Sequence, residues 1–327
     1  MQQTMQLRQV SELAKRAIDA VAQVIVGKDE VLRQVLMGIL SDGHVLIQDN
    51  PGLAKTLIAH SFSEVLDIAF SRIQFTPDLL PGEITGGYIY NQREAQFEFR
   101  RGPLFAHLLL GDEINRATPK TQSALLEAMQ ERQVTVEGER FPLDPPFIVI
   151  ATQNPVEFEG TYPLPEAQLD RFIMRTSVGY PDPEQELEIL LRRQQRKQDT
   201  MTLQPVVSHQ ELLAMQRALE EVHVGEAIGK YIVDLARATR EDTRTEVGAS
   251  PRGVFAVFKL ARAAAVLDDR DFVTPEDVKG VARIALAHRL LLQPEYWVRG
   301  ISDVSVVDDA LNMVPTPQAD YRGPKNS

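Results

Sequence analysis

Five short apolar runs in the first half of the chain constrain its fold more than any other feature. They are VLI at 45–47, SRIQF at 71–75, HLLLG at 107–111, PFIVIAT at 146–152 and FIMRTS at 172–177. Helical periodicity separates several of them, notably over 56–66 and 119–130. A strand with one face in water alternates apolar and polar residues. Continuous apolar strands interleaved with helices instead predict a mostly parallel sheet covered on both faces, an α/β core. Ahead of the first run, Leu7, Val10, Leu13, Ala17, Ile18 and Val21 recur at helical spacing, and a turn at Gly27 leads to a second helix. Two segments interrupt the alternation. Residues 76–103 are rich in Pro, Gly and aromatics, and QVTVEGERFPL at 133–143 alternates around Glu137-Gly138 as a β-hairpin does.

The character changes after Pro181-Asp182-Pro183. Helical periodicity dominates over 184–198, 208–222, 225–240, 252–267 and 275–290. Ser208 and Thr274 each open a capping box, and Pro275 suits a first helical turn. The organisation expected is an α/β nucleotide-binding core over 1–183, an all-helical domain over 184–315 and a polar, Pro-rich tail over 316–327. A chain of 327 residues is long enough for both domains.

The chemistry concentrates where the apolar runs end. VLIQDNPGLAKT at 45–56 is a strand, a tight loop at Pro51-Gly52, then Lys55-Thr56 at the head of a helix. Such a loop (Pro51, Gly52, Leu53, Ala54) attracts phosphate oxygens through its backbone N–H groups, which Pro51 alone lacks, and through the helix N-terminus. Lys55 would reach the terminal phosphates of a nucleotide, and the Thr56 hydroxyl would hold Mg²⁺. The strict phosphate-loop pattern is not met, since Asp49 and Ala54 stand where glycines are usual. Asp49 beside a triphosphate would repel it, turn away, or help bind Mg²⁺ or water. The methyl of Ala54 is expected to be tolerated on a backbone that stays helical.

LLLGDEIN at 108–115 ends a strand in Asp112-Glu113, a pair placed to hold a metal ion and to polarise an attacking water. FIVIATQNP at 147–155 ends in Asn154, whose amide could orient that water; a turn-forming Asn before Pro155 accounts for the residue type equally well. In LPEAQLDRF at 164–172, Arg171 is a candidate arginine finger for a neighbouring subunit's site, though alone it reads as a surface ion pair. In GASPRG at 248–253, Arg252 lies just inside a helix start, where it caps a segment or contacts a γ-phosphate.

Taken in order, PGLAKT, LLLGDEINRA, IATQNP, LPEAQLDRF and GASPRG resemble the MoxR family of AAA+ ATPases over roughly residues 15–315. The resemblance implies a P-loop AAA+ core with a helix-2 insert at 76–103 and a pre-sensor-1 hairpin at 133–143, followed by an all-α lid. It implies ATP and Mg²⁺ as cofactors. Lys55 takes the phosphate-binding position, and Thr56 and Asp112 the Mg²⁺ positions. Glu113 matches the catalytic base, Asn154 sensor 1, Arg171 the arginine finger and Arg252 sensor 2. VIVGKDE brings Val26 and Gly27 to the border of the adenine pocket. The family also implies a ring, six subunits being usual, von Willebrand factor A domain partners and a chaperone-like role in maturing client enzymes. Through Arg252, ATP would close the angle between core and lid.

Charge and composition weigh the alternatives. A formal net charge of −11 opposes general binding to nucleic acid or anionic lipid. The hairpin of a nucleic-acid motor carries basic residues, whereas here Glu137 and Glu139 face Arg140 alone. A nucleotide-gated scaffold that barely hydrolyses ATP is the other alternative, motivated by Asp49 and opposed by the intact Asp112-Glu113 pair. The absence of cysteine suits a reducing cytoplasm. No leader is expected in MQQTMQLRQVSELAKRA, and no apolar run approaches the roughly 18 residues that span a membrane.

Overall fold

The computed structural model describes residues 5–155, 161–198 and 201–318. Helices α1 (Leu7–Ala22) and α2 (Asp29–Leu40) lead into β1 (His44–Gln48), α3 (Lys55–Val65) and β2 (Phe70–Gln74). A short α4 (Pro81–Thr85) and the hairpin β3 (Gly86–Asn91)–β4 (Gln96–Arg101) precede β5 (Leu108–Asp112) and α5 (Pro119–Glu131). The hairpin β6 (Gln133–Val136)–β7 (Glu139–Pro142), β8 (Ile148–Gln153), the single turn α6 (Glu166–Leu169) and β9 (Phe172–Thr176) follow. Beyond β9 the described chain is helical: α7 (Pro183–Arg196), α8 (His209–Ala218), α9 (Glu226–Glu241), α10 (Pro251–Leu267), α11 (Pro275–Leu286), α12 (Pro294–Val298) and α13 (Asp303–Met313). A two-residue-scale ladder between β10 (Thr245–Val247) and β11 (Leu291–Leu292) interrupts it.

The five runs form one sheet in the order β2-β5-β8-β1-β9, and all its pairs are parallel. Strand β5 is buried throughout, and β1 and β8 are buried up to their last residue, hence the continuous apolar runs. Strand β2 lies at an edge and buries only Ile73, which leaves room for Ser71, Arg72 and Gln74. Alternate residues divide between the two faces. Ile47, Leu108, Leu110 and Ile150 join a cluster with α1, α2 and α3 that runs on into Leu212, Leu260 and Val278 of the later helices. Leu46, Leu109 and Val149 join a second cluster with Phe75, Leu125 and Leu126 under α5.

The fold is therefore an α/β core with a parallel sheet followed by a helical domain, as the order of apolar runs and helical periodicity implied. The 133–143 hairpin turns at Glu137 (φ 50°) and Gly138 (φ 87°), the paired positive φ values that a two-residue turn needs. The 76–103 insertion is more regular than its composition suggested, because it contains the β3–β4 hairpin. Phe99 of that hairpin stacks on Phe141 of the other at 4.0 Å, and Tyr88 Oη donates to Glu139 Oε2 at 2.6 Å, so the two insertions pack as one unit. Residues 319–327 of the expected tail lie outside the described residues. No helix among the described residues is long and apolar enough to cross a membrane.

Candidate functional site

Parallel strands deliver their carboxyl ends to one rim. Register brings Ile47 beside Thr152, Gln48 beside Gln153 and Gln74 beside Asp112. The residues that follow these positions, Asp49, Asn154 and Glu113, open at the same level. The loop 49–54 then enters α3 at Lys55. Lys55 is buried, and its Nζ donates to the carbonyl oxygens of Asp49 (2.7 Å) and Asn50 (2.8 Å). Burial pushes its pKa below the ordinary lysine value, against the opposing pull of Asp49, Asp112 and Glu113. An ammonium within the field of three carboxylates and at a helix N-terminus is suited to the oxygens of a polyphosphate.

Asp49 turns away from that loop. Its Oδ2 accepts from Val178 N (2.7 Å), Gly179 N (2.6 Å) and Ser177 Oγ (3.0 Å), and its Oδ1 accepts from Asn50 N (2.9 Å). Burial alone would raise its pKa, but these four hydrogen bonds outweigh burial and hold it below the usual carboxylate value. Of the three roles open to Asp49, the geometry selects the one in which it points elsewhere. Ala54 corrects a second expectation. Its backbone is left-handed (φ 56°, ψ 16°), not helical, so the chain accepts a side chain where glycine's freedom would be used. The segment 26–28 meets the chain that follows β9 here. Lys28 Nζ donates to Tyr180 O at 3.0 Å, and a Cβ on Gly27 (φ 66°) would lie 2.2 Å from Gln185 Cδ. Val26 is buried beside it.

Asp112 and Glu113 turn to different partners. Asp112 Oδ1 accepts from Thr152 Oγ1 (2.6 Å), and its Oδ2 accepts from Arg72 Nη2 (2.7 Å). Glu113 is left-handed (φ 57°), its N–H donates to the same Thr152 hydroxyl (2.8 Å), and its Oε2 accepts from Gln74 Nε2 and Arg116 Nη1, both at 3.0 Å. Thr152 therefore sets the relative orientation of the two acids. A Thr hydroxyl and an Asp carboxylate are hard oxygen donors of the kind Mg²⁺ takes, so Thr56 and Asp112 fit that ion. Asn154 is buried at the same rim, and its carbonyl accepts from Asn115 Nδ2 at 3.3 Å.

Arg171 and Arg252 lie elsewhere. Arg171 precedes Phe172, which pairs with His44 at the amino end of β1. Both arginines line a cavity of about 310 Å³ beside Asp42, His44 and Phe255. A five-residue strand separates this end from the phosphate loop by roughly 16 Å, beyond the reach of an arginine side chain. Arg252 stands away from its own subunit's loop, because α10 starts at the opposite end of the strands. Asp170 fastens the two arginine-bearing segments together. It accepts from Ser250 Oγ (2.9 and 3.1 Å), the N-cap of α10, and from Nε of the buried Arg289 (2.8 Å).

Sequence reading missed Gln74, Arg72, Thr152 and Asp170. Gln74 ends a strand, as Asp112 does, and the same rim argument would have found it. Arg72 and Gln74 share a strand face at period two. Asp170, Ser250 and Arg289 meet across more than one hundred residues of sequence, with no local signal.

The model of the ATPase family associated with various cellular activities (AAA) matches residues 44–174, and an AAA lid domain model matches 237–310. The chain is 44% identical over 305 residues to the uncharacterised protein YeaC of Bacillus subtilis, covering 93% of this chain and 95% of that one. It is 44% identical over 317 residues to Chaperone MoxR1 of Mycobacterium tuberculosis, covering 93% and 82%. A crystal structure from Cytophaga hutchinsonii, described as a candidate ATPase, superposes with a TM-score of 0.89 at 42% identity, covering 95% and 96% of the two chains.

Proposed function

The chain belongs to the MoxR family of AAA+ ATPases, and from that premise we propose that it hydrolyses ATP with Mg²⁺ in a ring, using the cycle to remodel or mature protein clients. The observation that carries the reading is the convergence of Lys55, Asp112, Glu113 and Asn154 on one rim behind the phosphate loop. Lys55 and the loop N–H groups would bind the β- and γ-phosphates. Thr56 and Asp112 would hold Mg²⁺, which neutralises phosphate charge when bound. Glu113 would take a proton from the attacking water as its oxygen bonds to the γ-phosphorus and the bond to the β,γ-bridging oxygen breaks, giving ADP and phosphate. Asn154 would orient that water.

Arg171 and Arg252 support assembly. They are too far from their own subunit's loop to serve it, and a head-to-tail neighbour could receive them. Six subunits, a von Willebrand factor A domain partner and a cytoplasmic setting follow the family. The paired insertion hairpins, with Tyr90 and Phe97 exposed, suit contact with a protein client. Turnover by wild type and by Glu113→Gln tests the reading. Loss of about 10²–10⁴ in rate with ATP binding retained is expected. Equal, slow turnover in both, with tight ATP binding, would replace the enzyme by a nucleotide-gated scaffold.

A further inference from the structure

Helix α7 spans 14 residues and buries none of them, although Leu187, Leu190 and Leu191 are 58%, 66% and 48% exposed. Its other face is engaged. Gln185 lies over Gly27, and Arg192 Nη1 donates to the carbonyls of Ala22 (2.9 Å) and Gln23 (3.1 Å) at the end of α1. At 100° per residue, Leu187, Leu190 and Leu191 point directly opposite Gln185 and Arg192. Leucines at i, i+3 and i+4 form a stripe made for burial, and within one subunit nothing described buries it.

We propose that a second copy of this chain covers the leucine face of α7 with its surface around Phe255, Arg171 and Arg252. The inference rests on the reading that these arginines serve a neighbouring nucleotide, and it names the surface on which that neighbour sits. Position commits the occupant. The segment feeding α7 is part of the phosphate site: Asp49 holds Val178 and Gly179, Lys28 holds Tyr180, and Gln185 seats on Gly27. A neighbour that brings two arginines to this triphosphate therefore passes alongside α7. Charge agrees. The first two turns of α7 carry Glu184, Glu186 and Glu188, while the opposing cavity holds Arg132, Arg171, Arg252, Lys259 and Arg289 against Asp42 and Asp170. Phe255, 66% exposed on α10 between Arg252 and Lys259, supplies the apolar counterpart to the leucines. The two surfaces differ, so the contact is heterologous and its repetition closes a ring or extends a filament.

The chain has no cysteine, which makes the test direct. Leu190→Cys and Phe255→Cys proteins are mixed with Mg²⁺ and a non-hydrolysable ATP analogue and treated with a short bismaleimide. A cross-linked dimer of unlike chains, absent from either variant alone, is expected. Self-cross-linking of Leu190→Cys would mean a two-fold contact and overturn the proposal. No cross-link in a mixture that still sediments as an oligomer would overturn it and leave the ring reading standing. Wild type that stays monomeric with the analogue would remove the ring reading and the proposal with it. A Leu187→Glu/Leu190→Glu variant supplies the second measurement. It should lose the oligomer in sedimentation while melting like the wild-type monomer, because its side chains already face water. A collapsed melting temperature would show that the face is needed inside one subunit, against the proposal.

Discussion

Replacing Asp49 by glycine separates two opposite expectations. Were the carboxylate beside the triphosphate, its removal would relieve a repulsion of about 2–3 kcal/mol at 6 Å and an effective dielectric near 20, tightening ATP binding roughly thirty-fold or more. The structure places it on Ser177, Val178 and Gly179 instead. Glycine then strands three backbone N–H groups, those of Asn50, Val178 and Gly179, and the Ser177 hydroxyl, at about 1–3 kcal/mol for each that water does not recover, and adds about 0.5–1 kcal/mol of backbone entropy. A net loss of about 3 kcal/mol is a large share of the 5–15 kcal/mol that holds a domain together. It lowers the melting point by about 6–12 °C in a unit of 150–250 residues. Asp49→Asn keeps an acceptor for the three donors of the 177–179 segment but turns an amide N–H toward Asn50 N, so about 1–2 kcal/mol is expected. The pH dependence has a definite sign. A carboxylate held below its unfolded pKa of 3.8 adds stability above that pH, and the contribution is lost as pH falls through the folded pKa. The assays are calorimetric melting and ATP titration of the same samples. Ten-fold tighter ATP binding with an unchanged melting point in Asp49→Gly would refute the reasoning.

Ala54→Gly removes a left-handed alanine at about 1–2 kcal/mol, so its melting point should rise by roughly 2–4 °C; a fall would mean the backbone there is helical after all. His44 accepts from Val149 N at Nδ1 and donates from Nε2 to Met129 O, and burial, reinforced by Arg132, lowers its pKa to about 3. Because the folded pKa is depressed, stability is complete above pH 6.5 and falls below it by about 1.4 kcal/mol per unit. Urea midpoints equal at pH 7 and pH 5 would contradict this. Asp170→Asn leaves the buried Arg289 without its carboxylate and should cost about 3–5 kcal/mol in thermal or urea unfolding, with Ser250→Ala costing far less.

The legible part of the site is the part made by single strand ends. Asp112 ends an apolar run, Asn154 follows another within two residues and Lys55 stands one short loop beyond a third, and a parallel sheet sends every such end to one rim, so order along the chain sufficed. Gln74 obeys the same rule and is obscured only by the polar character of its edge strand. What sequence could not carry is the placement of Arg252. Its local signal, Ser250-Pro251-Arg252, specifies a capped helix start and nothing about which end of the sheet that helix meets. The meeting is fixed by Asp170, 80 residues away from Ser250 and 119 from Arg289. Ala54 was misjudged for a related reason. A residue type says what backbone it prefers, and a tight loop imposed the other.

Strand β9 gives these separate contacts a common logic. It is an edge strand, paired with β1 on one side, and an open edge is normally a hazard. Here Arg289 closes it, donating to Phe172 O (2.7 Å) and Ile173 O (3.4 Å), with His288 Nε2 on Phe172 O as well. The lid thus protects the edge of the core, which explains a cationic side chain only 5% exposed between them. The same strand is tied to a candidate site residue beyond either end. Ser177–Gly179 at its carboxyl end are fastened to the phosphate loop through Asp49, and Asp170-Arg171 at its amino end are fastened to α10 and Arg252 through Ser250. Under the ring reading, one short strand then joins a subunit's own nucleotide loop to the arginines it offers its neighbour. A flexible connection would let each end settle independently. A hydrogen-bonded strand, covered by Arg289 and His288 at Phe172 and Ile173 and held at both ends by the carboxylates of Asp49 and Asp170, does not.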